Sequence, residues 1–393
     1  MKDDKKLDMI LERFYQRFNK YNTKVLKTLG QAVKQFDGLT PSQAHKLAQE
    51  LKYSTNIDQL INDLSKESGK SVKDVNEFLD KVAEDNVEFA EQYYKVKGKK
   101  FIPYEENEQL QKYVKSVKKE TNSLFKNLSK AKNIGFSIKD ENGDIIFKPI
   151  KAVYRDLIDE AVFNVSTGVT DYQSAMRNTI NQLADSGIRI HEEKVAYKGG
   201  YSRRIDSSVR QNVLTGVRKI NIEIQRQVGE EFGADGVEIS AHSPCAEDHL
   251  AIQGRQFKKK EFDKINGNLE RPIGEYNCRH FVFSIVLGVN KPNYTNRQLQ
   301  QMERESNAKI TYEGKEYTKY EATQVQRQLE TEIRRQKDRQ IIARESGDKV
   351  EIAKAQQKIG QLTEKYSDFS DKAGLETYKN RLTVSGYKRV STK

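Results

Sequence analysis

Residues 205–240 read IDSSVRQNVLTGVRKINIEIQRQVGEEFGADGVEIS, and the hydrophobic period changes inside that stretch. Val209, Val213, Leu214, Val217, Ile220, Ile224 and Val228 recur at steps of three and four, the spacing of one apolar stripe on an α-helix. Asp206 is placed to cap this helix and Gly233 to end it. Val237 and Ile239 then alternate with Glu238 and Ser240, the period of a half-buried strand. A long helix running straight into a strand predicts an α+β core.

The pattern continues downstream. A short helix is expected to carry Cys245 and His249, four apart and therefore on one face. Gln253-Gly254 ends it and Gln256-Phe257 opens a strand. A long loop should hold Lys258-Lys259-Lys260, Asn266-Gly267 and Pro272-Ile273-Gly274. Asn277-Cys278-Arg279-His280 then leads into Phe281–Leu287, a run apolar on both faces, which predicts a central strand.

Upstream, helical periodicity dominates. Leu7, Ile10, Leu11, Phe14, Phe18, Tyr21, Val25, Leu29, Val33 and Phe36 predict a long first helix ending near Gly38. Thr40, Pro41 and Gln43 form the signature of a capping box at the next helix. Ile57, Leu60, Ile61 and Leu64 suggest a short third helix, and Ser71 with Asp74 suggests a fresh cap before a helix through Phe78, Leu79, Val82, Val87 and Tyr94. A further helix is expected over 106–131. Phe136 and Ile138, Asn142-Gly143, then Ile145 and Phe147 predict a β-hairpin with a type I′ turn. Helices over 151–167 and 172–186 follow, then a smaller hairpin of Val195–Tyr197 and Tyr201–Arg203 around Gly199-Gly200. From Lys315 to Glu345 the pattern is helical and highly charged, and after Gly347 a second helix covers 349–369. Interleaved charges such as Glu330 with Arg334 and Glu345 with Lys349 predict a solvated antiparallel hairpin.

The predicted fold is therefore α+β but predominantly α-helical. Long N-terminal helices precede a small mixed α/β core around 195–290 and a C-terminal helical hairpin. The expected divisions are an N-terminal helical region (1–135), a linking region (136–204), the α+β core (205–312) and the charged hairpin and tail (313–393).

Composition narrows the function. The 393 residues carry 69 Lys and Arg against 57 Asp and Glu, a net charge of +12, so a polyanionic partner is plausible. No stretch approaches the about 18 consecutive apolar residues of a membrane span, so no membrane partner is expected. The first residues run into an amphipathic pattern without a signal-peptide core, and two cysteines cannot form a disulfide framework.

Polar chemistry is concentrated between residues 242 and 280, which hold both cysteines and three of the five histidines. Three explanations compete. Cys245 and His249 on a helix face, with Cys278 and His280 on a strand face, supply the donors of a tetrahedral zinc site, although the spacing matches no standard finger. A thiol beside an imidazole is a nucleophilic pair, but the window is poor in carboxylates for magnesium. Alternatively, His, Asn and Arg pin the long loop to the sheet, and the cysteines are small buried residues.

Several of these residues carry a family likeness. Ile239-Ser240-Ala241-His242-Ser243, then His249, Gln253-Gly254, Phe257 and Asn277-Cys278-Arg279-His280 resemble the phage minor capsid protein 2 family, itself similar to the Mu F-like head morphogenesis group. The likeness extends upstream to Arg204, Asp206, Val209 and Val213-Leu214-Thr215-Gly216. Downstream it takes in Tyr312, Lys315, Tyr317 and Tyr320-Glu321-Ala322-Thr323-Gln324. Its motif core is His242, His249, Gln253, Gly254, Asn277, Cys278, Arg279 and His280. One departure is that Pro244-Cys245-Ala246-Glu247 stands where the family pattern has a small residue and an Arg-Pro. Cys245 is thus outside the shared pattern, and His242 becomes the alternative fourth ligand beside His249, Cys278 and His280.

The resemblance implies a structural virion protein rather than an enzyme. It would be a minor capsid or head morphogenesis protein of a tailed phage or prophage, assembled in the bacterial host cytoplasm and residing in the phage head. Expected partners are portal or capsid proteins and packaged double-stranded DNA. No cofactor is required, with zinc the one candidate. Phosphate contacts need Lys and Arg rather than base-reading motifs. The candidate contacts are Arg203-Arg204, Lys258-Lys259-Lys260 and Arg334-Arg335, with Lys337 and Arg339 nearby. The competing class is a phage-encoded metal-dependent nuclease or Cys–His hydrolase using the 242–280 cluster.

Overall fold

The computed structural model of the chain describes residues 4–97, 100–140, 142–192, 201–275 and 278–390. Four helices come first: α1 (Asp4–Lys34), α2 (Pro41–Lys52), α3 (Asn56–Lys97) and α4 (Glu108–Leu128). Strands β1 (Ile134–Lys139) and β2 (Ile145–Pro149) precede α5 (Ile150–Ser166), α6 (Tyr172–Ser186), β3 (Arg189–Glu192) and β4 (Tyr201–Arg204). Helix α7 (Ile205–Glu231) leads to β5 (Gly236–Ile239), the single turn α8 (Glu247–Leu250), β6 (Gln256–Lys258), α9 (Lys259–Asn268) and β7 (Val282–Ile285). Then come α10 (Asn296–Asn307), β8 (Lys309–Tyr312), β9 (Lys315–Thr318), α11 (Lys319–Ser346) and α12 (Lys349–Lys372). The fold is predominantly helical, with small sheets and a C-terminal helical pair, as the periodicity predicts. No described helix is long and apolar enough to cross a membrane.

Local rules explain most element ends. Thr40 Oγ1 accepts the Gln43 N–H and the Gln43 side chain returns to the Thr40 N–H, so the capping box of α2 forms as expected. The predicted break at Ser71 does not form. Ile57, Leu60, Ile61 and Leu64 share one stripe with Val75, Leu79, Val82 and Tyr94, and buried Ser68 and Ser71 fill the positions between them. Asp206 is likewise not a cap. It lies inside the first turn of α7, where it is buried beside Arg204. The β1–β2 turn is wider than type I′. Among its described residues only Gly143 has positive φ, and Asp140 Oδ1 accepts the N–H groups of Asn142 and Asp144. In the smaller hairpin the strands are β3 and β4; Val195–Tyr197 and Gly199-Gly200 lie outside the described residues.

The chain divides into two compact units. One comprises Met1–Leu11, Ser71–Leu124 and Arg210–Gln324. Its antiparallel sheet has the order β6-β5-β7. Val237 faces Phe257 on one side and Ser284 on the other, while Ile239 pairs with Val282. So β5 is central, and the predicted central strand β7 is an edge, with Phe283 39% exposed. Strand β5 is buried throughout rather than half-buried. Glu238 reaches full burial because the Gln256 amide and the backbone and side chain of Asn293 donate to its carboxylate. Val237, Ile239, Ile252, Phe262, Ile273, Cys278 and Val282 form one hydrophobic cluster around this sheet. The expected long loop contains α9, whose first turn takes Lys259 and Lys260. Lys315–Thr318 is a strand rather than the start of a helix. Glu313 and Gly314 both have positive φ, which makes a two-residue type I′ turn between β8 and β9.

The other unit comprises Glu12–Lys70, Phe125–Val209 and Val325–Lys393. Its antiparallel sheet has the order β2-β1-β3-β4. Ile333, Leu362, Tyr366 and Leu382 join α11, α12 and the following segment. The charged face of α11 is not solvated as predicted. Glu330 is buried, accepts from the Tyr366 hydroxyl at 3.3 Å and lies 3.7 Å from Arg381. Arg334 donates to the Tyr15 hydroxyl at 2.6 Å, and Glu345 takes Gln31 and Lys27.

Candidate functional site

The loop between β5 and α8, the turn α8 itself and the approach to β7 bring four of the predicted residues together. Cys278 and His280 precede β7, which begins at Val282, so they do not share a strand face as predicted; the irregular backbone nonetheless brings their side chains together. Cys278 Sγ lies 3.4 Å from His280 Nδ1. His249, on the single turn α8, puts its Nδ1 3.9 Å from the same sulfur. His242 stacks on His280 with ring centroids 4.3 Å apart. His249, Cys278 and His280 are all buried, and their donor atoms lie within 4.8 Å of one another. They form a potential metal-binding site.

The remaining predicted ligands stand differently. Cys245 precedes α8 instead of sharing a helix face with His249. Its Sγ lies 3.7 Å from His280 Nε2, the opposite nitrogen from the one facing Cys278. His242 Nδ1 is 3.1 Å from the Pro244 carbonyl, and Nε2 is buried without a hydrogen-bond partner. Asn277 lies outside the described residues, and Arg279 is exposed.

Fixed acceptors decide which ring nitrogens carry protons. His249 Nε2 is 2.7 Å from the Arg271 carbonyl, which can only accept, so Nε2 holds the hydrogen and the Nδ1 lone pair faces Cys278. Gln253 Oε1 accepts the His242 backbone N–H at 3.0 Å, which fixes the amide orientation. The same oxygen is 3.2 Å from His280 Nε2, so that nitrogen also donates, and the His280 Nδ1 lone pair also faces Cys278. Gln253, read from the sequence only as a motif residue, is thus the orienting group of the cluster. Arg271, which sequence reading missed, orients His249 through its backbone. Its guanidinium is held by Asp248 at 2.7 Å and by the Tyr320 hydroxyl at 2.6 Å.

The electrostatics divide the two thiols. Burial, with Cys278 and Asp248 nearby, pushes Cys245 up to about 12. Burial also opposes the Cys278 thiolate, but His249 and the backbone N–H groups of Gly274 and His280 outweigh it and hold that thiol below its ordinary value. Burial lowers His242, with Arg279 adding to it, and lowers His280 to about 3, with His242 and His249 adding to it. His249 is raised despite burial, by Cys278 and the Arg271 carbonyl.

Gly254 closes the motif from below. Its N–H donates to the Ile239 carbonyl at 2.9 Å, and φ is +68°. A Cβ there would sit 2.3 Å from Leu299 Cδ2 and 3.2 Å from the Ala241 Cβ. Gly254→Ala is expected to cost about 1–3 kcal/mol from the strained backbone alone, seen as a lower urea midpoint. An unchanged midpoint would show that the turn relaxes freely.

Several of the basic candidates are engaged by neighbouring groups within the protein. Arg204 is committed to Asp338 and Asp206, Arg334 to Tyr15, and Arg335 lies 3.5 Å from Glu332. Lys337 donates to the Leu382 carbonyl and Arg339 pairs with Asp185. Arg203 on β4 and Lys259 are half-buried, whereas Lys258 and Lys260 are exposed at the start of α9.

No curated protein and no solved structure matches this chain. The family model of phage minor capsid protein 2 does, over residues 3–371, and it spans the sheets, the histidine–cysteine cluster and the C-terminal helical pair. With the match covering nearly all of the 393 residues, the chain belongs to the phage minor capsid protein 2 family.

Proposed function

We propose that the protein acts in the phage head beside the portal or capsid subunits, after assembly in the bacterial cytoplasm, and that it works without catalytic turnover. The observation that carries the reading is the near full-length family match. Membership makes this a phage structural protein of the capsid-morphogenesis type, working among other phage structural components. Two features support the absence of turnover. Cys278 is buried, and Asp248, whose carboxylate lies 3.8 Å from His249, is engaged by Arg271. The net charge of +12 and the exposed Lys258 and Lys260 support proximity to packaged DNA, where sequence-independent phosphate contact is sufficient.

Quantitative mass spectrometry of gradient-purified particles, before and after genome ejection, tests this. A few copies per particle are expected, and their loss on ejection would mark the protein as leaving with the DNA. Complete absence from particles would overturn residence in the head.

A further inference from the structure

We infer that His249 Nδ1, His280 Nδ1 and Cys278 Sγ together bind one Zn²⁺ ion.

The first argument is geometric. Zinc bonds of about 2.3 Å to sulfur and about 2.0–2.1 Å to nitrogen, at a tetrahedral angle, place the two donors about 3.6 Å apart. The observed sulfur–nitrogen distances of 3.4 and 3.9 Å bracket that edge. The third edge also lies within 4.8 Å.

The second argument counts lone pairs. Both imidazoles spend their Nε2 hydrogens on fixed oxygens, Arg271 O and Gln253 Oε1. Both Nδ1 lone pairs therefore point at one sulfur. A single proton in this triangle satisfies one nitrogen–sulfur edge and leaves the other nitrogen's lone pair against sulfur, in a buried site where an unmet acceptor is costly. One cation meets all three donors at once. Imidazole ligands that donate their far N–H to a carbonyl or amide oxygen are the usual support around protein metals.

The third argument concerns the sulfur. The His280 N–H lies 3.4 Å from Cys278 Sγ and donates to it, so the site already offers a backbone hydrogen bond suited to a thiolate. One thiolate and two neutral imidazoles leave a net charge of +1 with zinc, and this mixed soft and borderline set selects zinc over magnesium or calcium. Cys245 is excluded because it approaches His280 from the Nε2 side. The ion would tie α8 to Cys278 and His280 at the approach to β7, which is a structural role.

Full-length protein stripped by chelator under reducing conditions should take up one equivalent of Co²⁺ per chain. A sulfur-to-cobalt charge-transfer band is expected, and zinc should displace it. Cys245→Ser should retain the band, while Cys278→Ser should lose at least tenfold in affinity. X-ray absorption of the unaltered zinc-loaded protein needs no variant, and should give one sulfur at about 2.3 Å with the remaining light atoms at about 2.0 Å. No stoichiometric uptake, two sulfurs on the metal, or a band that survives Cys278→Ser would each overturn the assignment. None of these readouts depends on whether the chain is found in particles.

Discussion

Replacing Arg204 with leucine is expected to lower the unfolding free energy by about 3–5 kcal/mol, because it strands carboxylates that have no access to water. Nη1 and Nη2 of Arg204 both reach Asp338 Oδ2 at 3.1 Å, and Nη2 lies 3.5 Å from Asp206 Oδ2. Asp338 is fully buried and Asp206 nearly so. The other nearby guanidinium, Arg334, donates to Tyr15 and Thr331. Asn22 contributes one hydrogen bond to Asp338 at 3.3 Å, which does not replace a charge.

The loss should depend on pH. Burial already raises Asp338 to about 6, with Arg204 the largest opposing influence. A carboxyl whose folded value is raised binds its proton more tightly when folded. Its contribution is therefore fully present below the unfolded value and is lost as pH rises through the folded one. Without Arg204 the folded value moves higher, so the deficit of the variant should be larger at pH 7.5 than at pH 5. Urea midpoints at the two pH values measure this. A loss under about 1 kcal/mol at both, the size of an exposed pair, would show that solvent reaches the network. Removing Arg204 and Asp338 together should cost less than removing Arg204 alone, since one stranded charge goes with its partner.

The fold was legible where a signal is local. The capping box at Thr40, the apolar stripes of α1 and α7, and the helices α5 and α6 depend on residues within a few turns of one another. Strand β7 was misread because an apolar run reports burial from any source. Its outer face is set by a sheet of only three strands, which is a long-range fact. The charged face of α11 was misread for a related reason. Glu330, Asp338 and Arg334 look like a solvated pattern in sequence, yet Tyr366, Arg204 and Tyr15 reach them from distant segments. In a chain with 32% charged residues, buried ion pairs and exposed ones share the same composition.

The site was legible in part. Clustering named the residues, but not the irregular backbone ahead of β7 that brings Cys278 beside His280. Which donors converge was not readable, because the decision lies with a backbone carbonyl at Arg271 and a side-chain oxygen at Gln253. Cys245 satisfied the helical-face argument only if a helix began before it, and α8 starts two residues later.

Proline at position 72 separates the two readings of the third helix. With a cap at Ser71, position 72 would be the first helical residue, where proline is welcome because its missing N–H has no helical partner. In the observed α3, running unbroken from Asn56 to Lys97, position 72 is interior. Proline there removes a hydrogen bond and drives its ring against the carbonyl four residues back. Val72→Pro is accordingly expected to cost about 3 kcal/mol or more, with a loss of helical circular dichroism. The stripe explains why a small polar residue does not break the helix. Ser68 and Ser71 sit at three- and four-residue steps between Leu64 and Val75, and both are buried, so they continue the packed face without presenting a cap. The helix lacks a proline or an αL glycine to end it, because Gly69 keeps helical backbone and is absent from the positive-φ residues. An unchanged urea midpoint for Val72→Pro would restore two helices with a junction at Ser71. A large loss places the continuity of α3 in the hydrophobic period itself, which runs through a segment whose residue types alone suggest a stop.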